Sequence, residues 1–531
     1  MATTKPDSGV AARHEGTVES VYAGDSGVDR LKPNAIGLWG VIFVGVTGAA
    51  PISAMLFNVP FATGFGTGLY TPAAFLFATI ILTIFTIGYV AMARKMRAAG
   101  GFYTFISHGL GRELGLASGI TGAIAYSLFE VSLLGGFAYF AATNFNDWFG
   151  WEIPWVAFAL FAAVLISVLC YFHVELSVKV LGFALVGEII ILTIFDLVVF
   201  GSGGSNADGI QFESLNLFKL GSPGPGLAAG VGLFLAFWSW VGFEAIPNYA
   251  EESKNPVKII PRATLISVVA LGIGYVITSL AFVSAFPGNE LVKTAGDANN
   301  PPFFLAMEQY GNTFLKDVMQ VLILTGSFAC AMAFHNVTMR YFYAMGREGI
   351  LPRALGKTHP HYKSAYVASI TQTVIALVLV LAWGVGSGFS FADGADTAYV
   401  RIYTMMAVQG VVWLLAIQAV CALAVLVWHR RHKHPDSWLV VVLCPIIAIA
   451  GQVFAIYLLF KNIDVLAGTI GYVDLIGPIA IIGVLIGLGY AFFIKATNRK
   501  KFEMVGRMID EGAIDEVPET ATATDRATAP V

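Results

Sequence analysis

Apolar residues fill most of this chain in long blocks, separated by short stretches rich in Gly, Pro and charge. A helix that crosses a bilayer needs roughly 20 predominantly apolar residues. Blocks of that length exceed the core strands and most core helices of a soluble domain. The pattern predicts twelve spans, at 36–61, 72–93, 115–143, 154–173, 179–200, 227–251, 263–285, 317–345, 366–386, 401–428, 438–460 and 475–494. Residues 1–32 are polar and rich in Gly, Ser and charge, without the short apolar core of a secretory signal. From Glu503 onward the chain has no apolar periodicity and ends in the low-complexity run TATATDRATAP. The expected organisation is a disordered tail at 1–32, a twelve-span domain at 33–502 and a second disordered tail at 503–531.

Of the 531 residues, 57% are hydrophobic and 12% charged, and the mean hydropathy is +0.73. Soluble domains carry about 25% charged and 45–50% apolar residues. The composition therefore excludes a soluble enzyme, a nucleic-acid binder and a disordered chain. The net charge of −3 says little, but its distribution orients the chain. With the N-terminus inside, the loops after even-numbered spans hold Arg94, Lys95, Arg97, Arg112, Lys179, Lys254, Lys258, Arg262, Arg347, Arg353, Lys357, Lys363, Arg430, Arg431 and Lys433. The opposite loops hold only Lys219, Lys293, Lys316, Arg401 and Lys461. Positive charge near span ends is retained in the cytoplasm, so both termini are expected there. Cys170, Cys330, Cys421 and Cys444 lie inside apolar runs without metal-ligand spacing and read as small buried hydrophobes.

Two predicted spans are interrupted in matching ways. The first reads Gly45-Val46-Thr47-Gly48-Ala49-Ala50-Pro51, and the sixth reads Trp238-Ser239-Trp240-Val241-Gly242-Phe243-Glu244-Ala245-Ile246-Pro247. In a helix interior Gly costs roughly 1 kcal/mol and Pro about 3. A bilayer tolerates freed backbone groups only where protein or a water cavity satisfies them. Taken singly, each break reads equally well as an ordinary kink. Their spacing, five spans apart, is the pattern of an inverted-repeat transporter with its site where the two breaks meet.

At these residues the chain resembles the amino acid–polyamine–organocation permease superfamily. Ala99-Gly100-Gly101-Phe102-Tyr103-Thr104-Phe105 is similar to that family's GGxYxY signature. GFEAIPNYAEESKNPVKIIPRA, from Gly242 to Ala263, resembles its GFE…EE…NP…IPRA pattern. Asn336-Val337-Thr338-Met339-Arg340, YAMGREGILP and Thr358-His359-Pro360 match its N-x-x-x-R…AM-x-R-x-G-x-L-P…HP segment. The resemblance implies an all-α, LeuT-type fold of two inverted five-helix repeats plus two further helices, and secondary transport of amino acids or related amines. One departure stands out. Many members read GSG followed by bulky apolar residues at the first break, whereas here Val46-Thr47-Gly48 is followed by Ala49-Ala50-Pro51.

The resemblance also assigns a site. Backbone amides of Thr47, Gly48, Ala49 and Ala50 would cradle a substrate carboxylate, aided by a half-helix N-terminus. Carbonyls near Val44, Trp238 and Val241 would accept from its ammonium. Trp238 resembles the tryptophan that roofs bound substrate in the arginine/agmatine antiporter, and is expected to act as a gate. Ionisable residues within a bilayer are costly and read as functional; here they are Glu130, Glu188, Asp196 and Glu244. Glu130 in span 3 is a candidate partner for a substrate's distal cation. Glu188 in span 5 occupies about the position of a lysine in proton-coupled relatives, and is the candidate coupling group. Asp196 is expected near the outer surface, and Glu244 in a buried network between spans 6, 1 and 8. His335 reads as a packing residue more than a proton relay, and Arg340 as an inner-gate or loop-anchoring residue.

The leading expectation is a proton-coupled amino acid importer or exchanger of the plasma membrane. A polyamine or cationic amino acid carrier is the alternative within transport. A non-transporting nutrient receptor on the same fold is the alternative outside it, and a channel suits two broken helices less well. No metal site, cofactor or catalytic motif is expected, and the sequence does not fix an oligomeric state.

Overall fold

A computed structural model describes residues 31, 34–94, 101–172, 174–205, 208–297, 301–387, 394–432, 434–467 and 473–506. The expected tails at 1–30 and 507–531 lie outside these residues, as do Ala99 and Gly100 of the glycine-rich motif. Among the described residues, eleven helical segments are long and apolar enough to cross a bilayer: Leu38–Gly66, Gly68–Ala93, Arg112–Phe149, Leu181–Gly201, Ala229–Tyr249, Pro256–Ser284, Thr313–Arg347, Tyr366–Val385, Thr397–Arg431, Leu439–Lys461 and Ile476–Thr497. The shorter apolar helix Trp155–Tyr171 stands where the fourth span was expected. At 17 residues it sits at the lower limit for crossing. Numbered in chain order with this helix as span 4, the segments follow the expected order.

The spans divide by burial. Spans 1 and 6 are 89% and 94% buried over their most apolar windows, whereas spans 11 and 12 are 33% and 28% buried. Lipid is as apolar as leucine, so outer helices leave Ile481, Leu485 and Phe493 exposed without penalty. The two interrupted helices are thus the centre of the molecule. Span 3 packs along span 8 more extensively than any other pair of elements, and the two flank that centre.

Local chemistry explains both interruptions. The helix Leu38–Gly48 stops before Pro51, and Ala50 lies in the left-handed region at φ 46°, ψ 69°. Proline disfavours the α conformation of the residue before it and is at ease as the first residue of a new helix. The chain restarts at Pro51 and continues through widened turns at Ala54–Asn58 and Ala62–Gly66. In span 6 the helix Ala229–Trp238 ends in turns, Gly242 takes φ 122°, and a tighter helix runs from Phe243 to Tyr249. The first break is thus shorter than the interrupted stretch Gly45–Pro51, since the helix runs on through Gly48.

Past the last span the described residues stay packed on the bundle. Residues 499–504 form a helix, Val505 is buried, and the Gly506 amide bonds to Tyr103 and Glu348. These contacts hold the four residues 503–506 against the basic end of the bundle.

Candidate functional site

The two breaks meet backbone to backbone. A Cβ on Gly48 would lie 3.3 Å from the Gly242 carbonyl oxygen, and one on Gly242 would lie 2.3 Å from the Gly48 carbonyl carbon. Gly242 is therefore required twice, for its positive φ and for this approach. The carbonyls freed at the first break are taken up by neighbouring spans. Tyr275 of span 7 donates to the Ala49 carbonyl at 2.9 Å, and the Cys330 thiol of span 8 donates to that of Gly48 at 3.4 Å. Across the gap, the Asn58 amide donates to the Ser239 hydroxyl at 2.9 Å, tying the restarted half of span 1 to the break in span 6.

A small pocket opens beside these breaks. Gly48, Ala49, Ala50, Ser53, Ala54 and Asn58 form the span 1 side, and Trp238, Ser239 and Val241 the span 6 side. Phe129 and Leu133 of span 3, Cys330 and Phe334 of span 8, and Tyr403 of span 10 complete the wall. None of these side chains is charged. Aromatic rings close the pocket at two levels. Trp238 lies 5.6 Å from Tyr403, which stacks on Phe57 at 4.1 Å, and Phe129 stacks on Phe334 at 4.9 Å.

The structure brings together Gly48, Ala49, Ala50, Trp238 and Val241 of the expected site residues and sets the others apart. Val44 lies within the helix before the break and does not line the pocket. Thr47 turns its hydroxyl toward the Leu181 carbonyl of span 5, at 3.4 Å. Glu130 faces away from the pocket and has 0% side-chain exposure. Its carboxylate contacts His335 Nδ1 at 2.9 Å and accepts from Gln372 Nε2 at 2.7 Å, so it does not present a charge to a ligand there. Sequence alone gave its depth in span 3 but not its direction.

Glu188 does reach the first break. Its Oε2 accepts from the Ile52 amide at 3.2 Å, at the N-terminus of the restarted half-helix. Among the described residues Oε1 has no partner. Glu244 joins spans 6, 3 and 2, not 6, 1 and 8: it accepts from the Gly242 amide at 2.8 Å and Tyr126 at 3.0 Å, and its carbonyl accepts from Tyr89. Asp196 accepts from Thr278 of span 7 at 3.0 Å. Arg340 donates to Glu252 at 2.6 and 3.0 Å and lies over the Tyr249 ring at 4.0 Å, which anchors span 8 to the segment leaving span 6.

Ser53, Asn58, Leu133, Phe334 and Tyr403 were not anticipated. Asn58 carried a usable signal, as an amide side chain deep in an apolar span. The others look like ordinary membrane-helix residues, and only the packing selects them. Among the described residues no group of three or more His, Cys, Asp or Glu is placed to hold a metal ion.

A multi-pass helical protein whose two discontinuous helices meet beside an uncharged pocket has the architecture of a secondary transporter. The amino acid permease family matches residues 36–493, and the chain belongs to it. It is 24% identical to the low-affinity putrescine importer PlaP of Escherichia coli K12, over 59% of this chain and 67% of the relative. It is likewise 24% identical to the branched-chain amino acid permease BcaP of Bacillus subtilis, over 66% of this chain and 75% of that one. The glutamate/serine transporter AimA of Bacillus subtilis is also 24% identical, over 58% and 59%. The protein is a permease, not an enzyme.

Proposed function

We propose that this permease carries neutral amino acids with apolar side chains across the plasma membrane, driven by protons and working by alternating access. The observation that supports the substrate class most is the uncharged lining of the pocket. A zwitterion needs only dipoles for its two charges. The Ser53 hydroxyl and the Asn58 side-chain amide, both in the lining, offer hydrogen-bond donors for the carboxylate. The turn after Trp238 offers carbonyls for the ammonium. Phe129, Leu133 and Phe334 leave an apolar surface for the side chain. A diamine or lysine would bring a second cation to a wall without an anion, which is expensive in a dry site.

The basic loops place both termini in the cytoplasm in this reading. Trp238 serves as a gate on the face away from those loops. Glu188, bonded to Ile52, holds span 5 to the hinge in span 1. The test is uptake of radiolabelled leucine, valine, alanine, lysine and putrescine into proteoliposomes with an inside-alkaline pH gradient. Leucine, valine and alanine are expected to accumulate. Putrescine or lysine moving while leucine does not would replace this reading with the polyamine and cationic amino acid alternative, for which the PlaP relative is the precedent.

A further inference from the structure

Behind the apolar wall of the pocket lies a sealed cluster whose side chains do not line it. Glu130 and His335 both have 0% side-chain exposure. His335 Nδ1 lies 2.9 Å from Glu130 Oε1, and Nε2 lies 2.8 Å from the Ser369 hydroxyl of span 9. Gln372, also of span 9, donates to Glu130 Oε2 at 2.7 Å and accepts from Ser127 at 3.0 Å. Every polar atom of the carboxylate and imidazole is partnered, and the partners come from spans 3, 8 and 9. Glu130 and His335 directly follow Phe129 and Phe334, the stacked rings that face the substrate pocket.

We infer that Glu130 and His335 together form the proton-binding site that couples this permease to a pH gradient, an inference that rests on the transport reading above. The hydrogen-bond inventory accommodates one proton without moving a heavy atom. Before protonation, the neutral imidazole donates from Nδ1 to the Glu130 carboxylate and accepts at Nε2 from the Ser369 hydroxyl. The arriving proton goes to Nε2. Ser369 then accepts from it and turns its own hydrogen to a main-chain carbonyl of span 9, the usual alternative for serine in a membrane helix. The cluster passes from a net charge of −1 to a neutral ion pair.

Burying an unpaired charge is costly, and a hydrogen-bonded pair relieves much of that cost. Proton occupancy therefore changes how firmly spans 3, 8 and 9 are held together at the back of Phe129 and Phe334. A ligand couples to a second ligand only through a difference in affinity between conformations. The shared aromatic wall supplies the connection here.

The surrounding ionisable groups are engaged elsewhere. Tyr126, one turn before Glu130, donates to Glu244 of span 6. Farther along span 8, Arg340 is paired with Glu252, and Tyr341 is buried beside Tyr126. Tyr366 begins span 9, and Tyr171 ends span 4 against His359 and Tyr362. Arg401 lies at the start of span 10 and Glu188 of span 5 lies on Ile52. None of these contacts brings a counter-charge to the pair.

The test is the ratio of proton flux to leucine flux, measured in the same proteoliposomes with a trapped pH dye, because a ratio is insensitive to a general loss of rate. The full-length chain is expected to move about one proton per leucine. His335→Gln and Glu130→Gln are expected to lower the ratio at least fivefold. Ser369→Ala, a milder change, is expected to shift the pH of half-maximal uptake by at least half a unit, and guards against misfolding of the other two. A normal ratio in His335→Gln together with an unshifted profile in Ser369→Ala overturns the assignment. So does a ratio abolished by Glu188→Gln alone. Wild-type vesicles that move leucine without protons overturn it while leaving the permease reading intact. Vesicles that move no amino acid overturn the parent reading and this one with it.

Discussion

Gly242 and Trp238 show how much of the site depends on single side chains. A methyl group on Gly242 meets the Gly48 backbone at 2.3 Å, and φ stays at 122°. Backbone cannot yield as a flexible side chain does. A forced left-handed residue costs about 1–2 kcal/mol, and overpacking typically adds 1–3. Gly242→Ala is expected to lower thermal stability and to reduce transport at least tenfold. Gly274→Ala, where nothing lies within 4 Å of the added carbon, is expected to leave both unchanged. Trp238 presents its ring to the pocket and to Tyr403. Trp238→Ala is expected to raise KM for leucine at least tenfold, and Trp238→Phe to retain part of the affinity; an unchanged KM in the alanine variant would make the ring a packing residue.

Among elements, the short helix Arg499–Met504 and the two residues after it form a latch whose strength depends on pH. Glu348, just past the end of span 8, accepts from the Gly506 amide at 3.0 Å and from Tyr103 on the helix Phe102–Leu110. Burial pushes the Glu348 carboxyl up from 4.5 to about 7, against the lowering influence of those two donors. The folded protein thus binds a proton at Glu348 more tightly than the unfolded chain does. The stability this carboxyl contributes is full below about pH 4.5 and is lost as pH rises through about 7. Hydrogen exchange at Val505 and Gly506, corrected for the intrinsic pH dependence of exchange, is expected to quicken between pH 5 and 8. Glu348→Gln should abolish that trend. A pH-independent protection in the wild type would show that the carboxyl does not control the latch.

At the scale of the whole molecule, the regions on either side of the two breaks are held by different physics. The basic end is held by the buried pair Arg340–Glu252 and by Arg347 with Glu251, and the other end by the stacked rings of Phe57, Tyr399 and Tyr403. Removing one partner of a buried ion pair typically costs 3–5 kcal/mol because the other charge is left unpaired. Arg340→Met is expected to open the basic end, seen as at least fivefold faster maleimide labelling of Ser253→Cys, and Glu252→Gln in the same chain should partly restore closure. Equal labelling with and without Arg340 would remove the pair from the gate. The apolar spans and the positions of both breaks were legible in the sequence because each follows from local chemistry, whereas the LeuT-type class rested on the family resemblance. Apolar length sets a span, and Pro51 and Gly242 break a helix whatever surrounds them. Glu130, Glu188 and Thr47 show the limit of that reading. Sequence places a residue along a helix axis, but rotation about that axis is set by neighbouring helices far away in the chain. Packing alone turned Glu130 toward His335 and Thr47 toward Leu181, and packing alone gathered Asn58, Phe334 and Tyr403 around the pocket.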